Sequence, residues 1–194
     1  GRAVRDVSFS VRAGEVLGFA GLVGAGRTET MRIVFGADRA EAGRIFIDGH
    51  EVQIRNPADA MRRGICLLTE DRKRHGLVLH HSARENFGLP NLDRFTRGPF
   101  LDGRKERSEF AEYTRSLNIR VTRQEQPVEH LSGGNQQKVV ISKWLHAGCR
   151  VLIFDEPTSV LTPQELEGFF GILNGLKEDG KGVIFISHKL KEAL

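Results

Sequence analysis

No stretch of this chain approaches the roughly 18 to 20 consecutive apolar residues that a membrane-spanning helix needs. Any association with a bilayer is therefore expected through a partner, and a soluble fold is expected for the chain. The opening GRAVRDVSFS lacks the apolar stretch of a secretion signal. Cysteine is scarce as well. Cys66 and Cys149 stand far apart without metal-ligand spacing, and Cys66 falls in an apolar run, Ile65 to Leu68, that reads as a buried strand. A reduced, cytosolic chain is the expectation. Nor is charge of one sign in excess: 29 Lys and Arg face 25 Asp and Glu, for a net charge of +4. Most charge is balanced locally, and nucleic-acid binding is not expected. The densest basic stretch, Asp71 to Arg74 followed by His75, is short, includes an acid, and reads as a solvated loop. What remains is ordinary globular material, 194 residues with 39% hydrophobic content, enough for one buried domain or a core with an inserted lobe.

Hydrophobic patterning gives the organisation. Val7 to Val11 alternates like a strand, Ala13-Gly14 turns, and Val16 to Ala20 is a continuous apolar run leading into a glycine-rich loop and a helix from Arg27. Ile45 to Ile47 before Asp48-Gly49 reads as strand and turn, and Pro57 to Arg63 as a short helix before the Ile65 to Leu68 strand. From Asp71 to Arg150 apolar runs shorten, and Phe110, Tyr113, Thr114 and Leu117 recur at helical spacing, which indicates an inserted, mainly helical lobe. After it, VLIF and VIFI have the composition of buried parallel strands, separated by a helical stretch from Pro163 to Leu176. The expected divisions are 1–70, 71–150 and 151–194.

Each buried run ends in polar residues, VLIF in Asp155-Glu156 and VIFI in Ser187-His188. In open α/β sheets ligands bind beyond such carboxyl ends. Gly21-Leu22-Val23-Gly24-Ala25-Gly26-Arg27-Thr28 has the spacing of a phosphate loop, with arginine where lysine is usual and Glu29 following in the helix. Glycines allow backbone N–H groups to turn around phosphate oxygens, and the helix adds its positive end. Thr28 is the candidate Mg²⁺ ligand. Glycine-rich turns without phosphate are common, but a phosphate cradle and a carboxylate pair on neighbouring strand ends make one Mg-ATP site. In it Asp155 would hold the metal shell and Glu156 would polarise water. Leu131-Ser132-Gly133-Gly134-Asn135-Gln136-Gln137-Lys138 opens a second helix, running to about Leu145, whose N-terminus could receive an anion. Alone it reads equally as a helix cap. Beside the first loop it suggests that the two sites serve different nucleotides.

LSGGNQQKV resembles the signature of ABC ATPases, and GLVGAGRT, VLIFDEPT and ISH follow that family's order over essentially the whole chain. The resemblance implies an α/β, P-loop NTPase core with a mainly parallel sheet, an antiparallel β portion near the N-terminus and an inserted helical subdomain. It implies ATP and Mg²⁺ as cofactors, with Gly21, Leu22, Val23, Gly24, Ala25, Gly26, Arg27, Thr28 and Glu29 around phosphate and His188 at the γ-phosphate. Ser132, Gly133 and Gly134 would cover the nucleotide of an opposing cassette.

Within the family the chain more closely resembles the ATPases of bacterial ribose-, galactose- and xylose-type importers, which carry two cassettes in tandem. Gly18 to Thr28 and Thr69-Glu70-Asp71-Arg72-Lys73-Arg74-His75-Gly76-Leu77 are similar to the second cassette, which puts Glu70 at the position of a metal-sensing glutamine. The segment from Asp155 onward is similar to the first, so the chain either mixes these features or is a hybrid. By family standards it lacks the upstream aromatic that stacks on adenine and stops soon after His188, as a fragment would. The implied partners are a second cassette, membrane permease subunits and, indirectly, a periplasmic sugar-binding protein, at the cytoplasmic face of the bacterial inner membrane. Two alternatives stay open: a degenerate cassette that grips ATP to hold a dimer closed, favoured by Arg27 and Glu70, and a soluble ABC ATPase of translation or DNA repair.

Overall fold

Strands and helices alternate through the chain in the computed structural model, which describes residues 4–22, 24–158 and 161–188. β1 (Val16–Ala20) runs through the glycine-rich loop into α1 (Arg27–Val34). β2 (Ile45–Ile47) and β3 (His50–Val52) form an antiparallel hairpin. Its turn residues, Asp48 and Gly49, both take positive φ (52° and 77°), the pattern that matches the twist of a two-residue hairpin. α2 (Pro57–Arg62) starts on Pro57 and is capped by Asn56, whose side chain accepts the Asp59 N–H at 2.9 Å. β4 (Ile65–Leu68) is buried throughout.

The chain divides into two compact units. The first comprises Gly1–Leu67, Cys149–Thr158 and Glu167–Leu194, and the second Leu68–Gly148 with Ser159–Leu166. Within the second, a π-helix (Arg72–Gly76) precedes α3 (Ala83–Gly88), which begins with a reciprocal capping box between Ser82 and Glu85. A 3-10 turn, α4 (Leu92–Phe95), the small hairpin β5 (Thr96–Arg97) and β6 (Phe100–Leu101), α5 (Gly103–Ser116) and α6 (Gly133–His146) follow. The centre of this unit is aromatic. Phe87, fully buried, has ring centroids of Phe95, Phe110, Tyr113 and His146 within 4.8–5.9 Å. Burial lowers the pKa of His146, consistent with a neutral ring stacked on Phe95.

The chain then returns through β7 (Val151–Asp155), α7 (Pro163–Glu178) and β8 (Gly182–Ser187). The four-stranded sheet has the order β1-β8-β7-β4, and β8 pairs parallel with both β1 and β7. Its packed core joins Ile153, Ile184 and Ile186 to Met31, Phe35, Ala60, Ile65 and Leu67.

The elements expected from the sequence form as read, with three differences. Val7 to Val11 pairs with no strand among the described residues, although its alternation is used: Phe9 meets Phe19 edge-on at 5.0 Å and Val11 packs on the core. β1 has β8 as its one neighbour among the described residues and is half-exposed in spite of its continuous apolar composition. The basic stretch forms the π-helix rather than a loop, because Asp71 caps it by accepting the Arg74 N–H at 3.1 Å. Cys66 and Cys149, expected as separate thiols, are joined in a disulfide with Cα atoms 6.1 Å apart. The two residues, 83 apart in sequence, are brought together when the start of β7 lies beside β4, so spacing could not reveal the pair.

Replacing Phe87 by alanine removes the ring at the centre of the aromatic cluster. The expected loss is about 3 to 5 kcal/mol of unfolding free energy, read by denaturant titration. A loss below about 1 kcal/mol would show that the cluster closes over the gap.

Candidate functional site

Strand register brings the first unit's candidate residues together. Ala20 at the end of β1 lies opposite Ser187 at the end of β8, and Asp155 at the end of β7 opposite Ile186. The glycine-rich loop, Asp155-Glu156 and His188 thus leave the same edge of the sheet. The loop turns through Gly24 and Gly26, with φ of 82° and 79°, a conformation that disfavours any side chain with a Cβ. Gly26 then caps α1, and its carbonyl accepts both the N–H and the hydroxyl of Thr30, at 2.9 and 2.7 Å. The Ala25 N–H donates to Leu22 at 3.2 Å, Leu22 is exposed, and Glu29 is exposed in the first turn of α1, where an acid suits the helix dipole. Val23, assigned to the same loop, lies outside the described residues.

Arg27 is engaged with backbone carbonyls. Its guanidinium donates to the carbonyls of Ser187 at 2.6 Å, Leu22 at 3.2 Å and, at the limit of a hydrogen bond, Phe19 at 3.5 Å. It therefore spans the loop, β1 and β8. A planar fork of donors can do this, and a single ammonium cannot reach the same set of acceptors. Sequence reasoning identified Arg27 as a departure from lysine but had no signal for these partners, because they are main-chain atoms.

Thr28 and Asp155, the two candidate metal ligands of this unit, are adjacent: the hydroxyl donates to Asp155 Oδ1 at 3.1 Å, and Asp155 is buried. A hydroxyl and a carboxylate side by side are the hard oxygen donors that Mg²⁺ takes, with its remaining positions filled by phosphate oxygens and water. Among the described residues no cluster of three or more His, Cys, Asp and Glu could hold a metal alone. The residues present therefore fit a metal delivered with a phosphate.

Glu156 follows Asp155 with φ of 48°, left-handed and uncommon for a residue with a side chain. Its N–H donates to the Ile186 carbonyl at 3.1 Å, and its carboxylate meets His188 Nδ1 at 2.8 Å. The acid and the histidine are thus a hydrogen-bonded pair at the ends of neighbouring strands.

Glu70 and the Ser132 to Gly134 segment belong to the second unit. Glu70 is exposed just beyond β4. Ser132 caps α6, its hydroxyl accepting from the Asn135 N–H at 3.4 Å and Asn135 Nδ2 at 2.9 Å. A Cβ on Gly134 would meet the carboxylate of Glu165, which would have to move to make room for it. Glu165 was missed in the sequence, yet its signal was readable: Thr162 and Glu165 have capping-box spacing, and Glu165 accepts from the Thr162 N–H at 3.0 Å.

The sheet, the glycine-rich loop running into α1 and the acid-histidine pair at adjoining strand ends define a P-loop NTPase fold. Comparison with known proteins makes the class narrower. The family model described as ABC transporter matches residues 4–159, and the chain belongs to that family. It is 50% identical over 195 residues to the "Putative ribose/galactose/methyl galactoside import ATP-binding protein 1" of Burkholderia lata, covering 100% of this chain and 38% of that protein. It is 48% identical over 189 residues to the "Ribose import ATP-binding protein RbsA" of Bacillus cereus, covering 97% of this chain and 38% of that protein. The chain thus spans 38% of the length of these curated relatives. Among solved structures it is similar to a dimeric ATP-binding cassette in a post-hydrolysis state bound to ADP and Pi, with TM-score 0.83 and 25% identity over 98% of this chain and 82% of that one. A nucleotide-free cassette from an ABC transporter, at TM-score 0.82 and 20% identity over 97% of this chain and 76% of that one, supports the fold alone.

Substituting Arg27 by lysine gives up the bridge between Leu22 and Ser187 while keeping a cation in the loop. The nucleotide-free chain is expected to lose up to about 1.5 to 3 kcal/mol of stability, the range for a hydrogen bond to a charged group, while its ATP affinity is held or raised. Thermal unfolding and calorimetric titration read the two quantities. A tenfold loss of ATP affinity would instead assign Arg27 a specific bidentate phosphate contact.

Proposed function

We propose that the chain binds Mg-ATP at its phosphate loop and hydrolyses it, serving in the ATPase subunit that powers import of a monosaccharide. The observation that carries the reading is the pairing of Glu156 with His188 at 2.8 Å beside the pairing of Thr28 with Asp155 at 3.1 Å. The loop from Gly21 to Thr28, with Glu29 behind it, would cradle the phosphates. Thr28 and Asp155 would hold Mg²⁺, which would neutralise charge on the phosphates when bound. Glu70 is proposed as a further metal-sensing residue, on its place in the sequence. Glu156, positioned by its left-handed turn, would polarise the attacking water and accept its proton. With His188 Nδ1 turned to Glu156, Nε2 is the ring nitrogen assigned to the γ-phosphate.

The division of labour is part of the proposal. Residues 1–70 and 151–194 would form the ATP-binding core, and 71–150 the helical subdomain with the signature. The separate clustering of Leu68–Gly148 supports that division. Ser132, Gly133 and Gly134 would complete the site of an opposing cassette, in tandem or as a homodimer. The dimeric form of the post-hydrolysis cassette similar to this chain supports a pair. The names of the import relatives support transport over translation or repair, and with it permease subunits as partners, a periplasmic sugar-binding protein acting indirectly, and a place at the cytoplasmic face of the bacterial inner membrane. No helix of the described residues is long and apolar enough to cross a membrane, in keeping with attachment through other subunits.

A clamp that binds ATP without turnover would have no use for the acid-histidine pair, and the test follows from that difference. In an assembled transporter, Glu156→Gln is expected to retain ATP binding and lower hydrolysis by at least about 100-fold, leaving ATP-bound cassettes paired in sedimentation. Hydrolysis unchanged in that variant would assign the chain to the clamp. Ser132→Arg is expected to spare the chain's own ATP affinity and block nucleotide-driven pairing. Loss of that affinity with folding intact would place the signature in the chain's own site.

A further inference from the structure

The second unit buries a lysine that the proposed reaction does not use. Lys143 of α6 is 8% exposed, and its ammonium donates to the Gly76 carbonyl, the last of the π-helix. Its own carbonyl accepts Asn91 Nδ2 at 3.0 Å, and its Nζ lies 5.0 Å from the centre of the Trp144 ring. Burial holds its pKa down at about 8, with no carboxylate contributing. Energetically this is a poor use of a core position, because a methionine of similar length would fill the space without removing an ammonium from water. What methionine cannot do is hold the Gly76 carbonyl.

That carbonyl closes a segment gripped from one helix face. Gln136, Val140 and Lys143 follow one another along α6 at spacings of four and three, so they share a face. Gln136 Oε1 accepts Arg72 Nε at 3.2 Å at the start of the π-helix, while Gln136 Nε2 donates to the Val128 carbonyl at 2.9 Å. Val140 lies so near Gly76 that a Cβ there would sit 3.5 Å from it and 3.2 Å from Arg72 Cβ. Both ends of the turn are therefore set by α6, and Lys73, Arg74 and His75 are left exposed on its outer side.

We propose that Lys143 is a positioning residue that ties the exposed basic turn Lys73-Arg74-His75 to the helix opened by Ser132-Gly133-Gly134, so that a shift of that helix is carried to the turn. The use of such a tie rests on the proposed function, in which that helix meets the nucleotide of an opposing cassette, whereas the tie itself belongs to the second unit alone. Trypsin cleavage after Lys73 and Arg74, followed by mass spectrometry without nucleotide, reads it directly. Lys143→Met is expected to speed cleavage at these bonds about tenfold while its thermal midpoint does not fall, since the variant also relieves a buried charge. Lys143→Arg, which keeps a donor for Gly76, is expected to stay protected. Cleavage of Lys143→Met at the unsubstituted rate would overturn the proposal. So would equal acceleration at Arg107 and Arg115 of α5, which would mean general loosening, or equal acceleration in Lys143→Arg. Calorimetric titration of the same samples with Mg-ATP keeps the two readings apart: failure to bind would count against the proposed function and leave the cleavage result standing.

Discussion

The candidate chemistry depends on the parallel register of β1, β8 and β7. Because side chains alternate across a strand, a slip of one residue would turn the inward set outward. Ile153, Ile184 and Ile186 prevent this by packing into one core with Met31 and Leu67. Apolar burial in mid-strand thus fixes where the polar ends fall, with Ala20 beside Ser187 and Asp155 beside Ile186. Hydrophobic packing does the positioning, and the hydrogen bonds of Thr28 to Asp155 and of Glu156 with His188 are made between groups already brought close.

Glu156 shows what that arrangement costs and what it yields. A non-glycine residue in the left-handed region carries strain on the order of 1 to 3 kcal/mol. The Glu156 N–H to the Ile186 carbonyl at 3.1 Å extends the sheet's hydrogen bonding past the end of β7 and holds the residue in that shape. The turn sends the carboxylate toward His188 instead of continuing the alternation of the strand. In an unstrained extended residue the acid would follow the strand's own period, and the pairing with the histidine would be lost.

Much of this was legible in the sequence because the signals are local. Buried strands announced themselves as apolar runs, the turn after β2 by Asp48-Gly49, and α6 by the serine and two glycines that open it. The site residues were readable because phosphate loops and strand-end acids are defined by short spacing. What could not be read depends on atoms far apart in the chain or on the main chain itself. Arg27 is satisfied by carbonyls of Ser187, Leu22 and Phe19, which no residue type encodes. The junction of Cys66 with Cys149 needs the order of strands in the sheet. In Val7 to Val11 the ring of Phe9 meets Phe19 and Val11 packs on the core, and packing without a paired backbone gives the same pattern as a strand. Lys143 carries no signal of its burial in the sequence, since burial is invisible when the apolar face of a helix includes one long amphipathic side chain.

The arginine in the phosphate loop then acquires a physical rationale beyond substitution for lysine. A loop built from Gly21, Gly24 and Gly26 has large conformational freedom, and a contact from outside its own backbone is needed to order it. Arg27 supplies that hold by linking the loop to the strand end that continues into His188. The same hold competes with nucleotide: phosphate must offer the guanidinium at least what the carbonyls of Leu22 and Ser187 give it, or bind without it. Observed affinity would be the intrinsic affinity reduced by the fraction of loop conformations able to receive phosphate. An arginine here would thus exchange some nucleotide affinity for order in the loop, and it connects that order to the strand end that continues into His188.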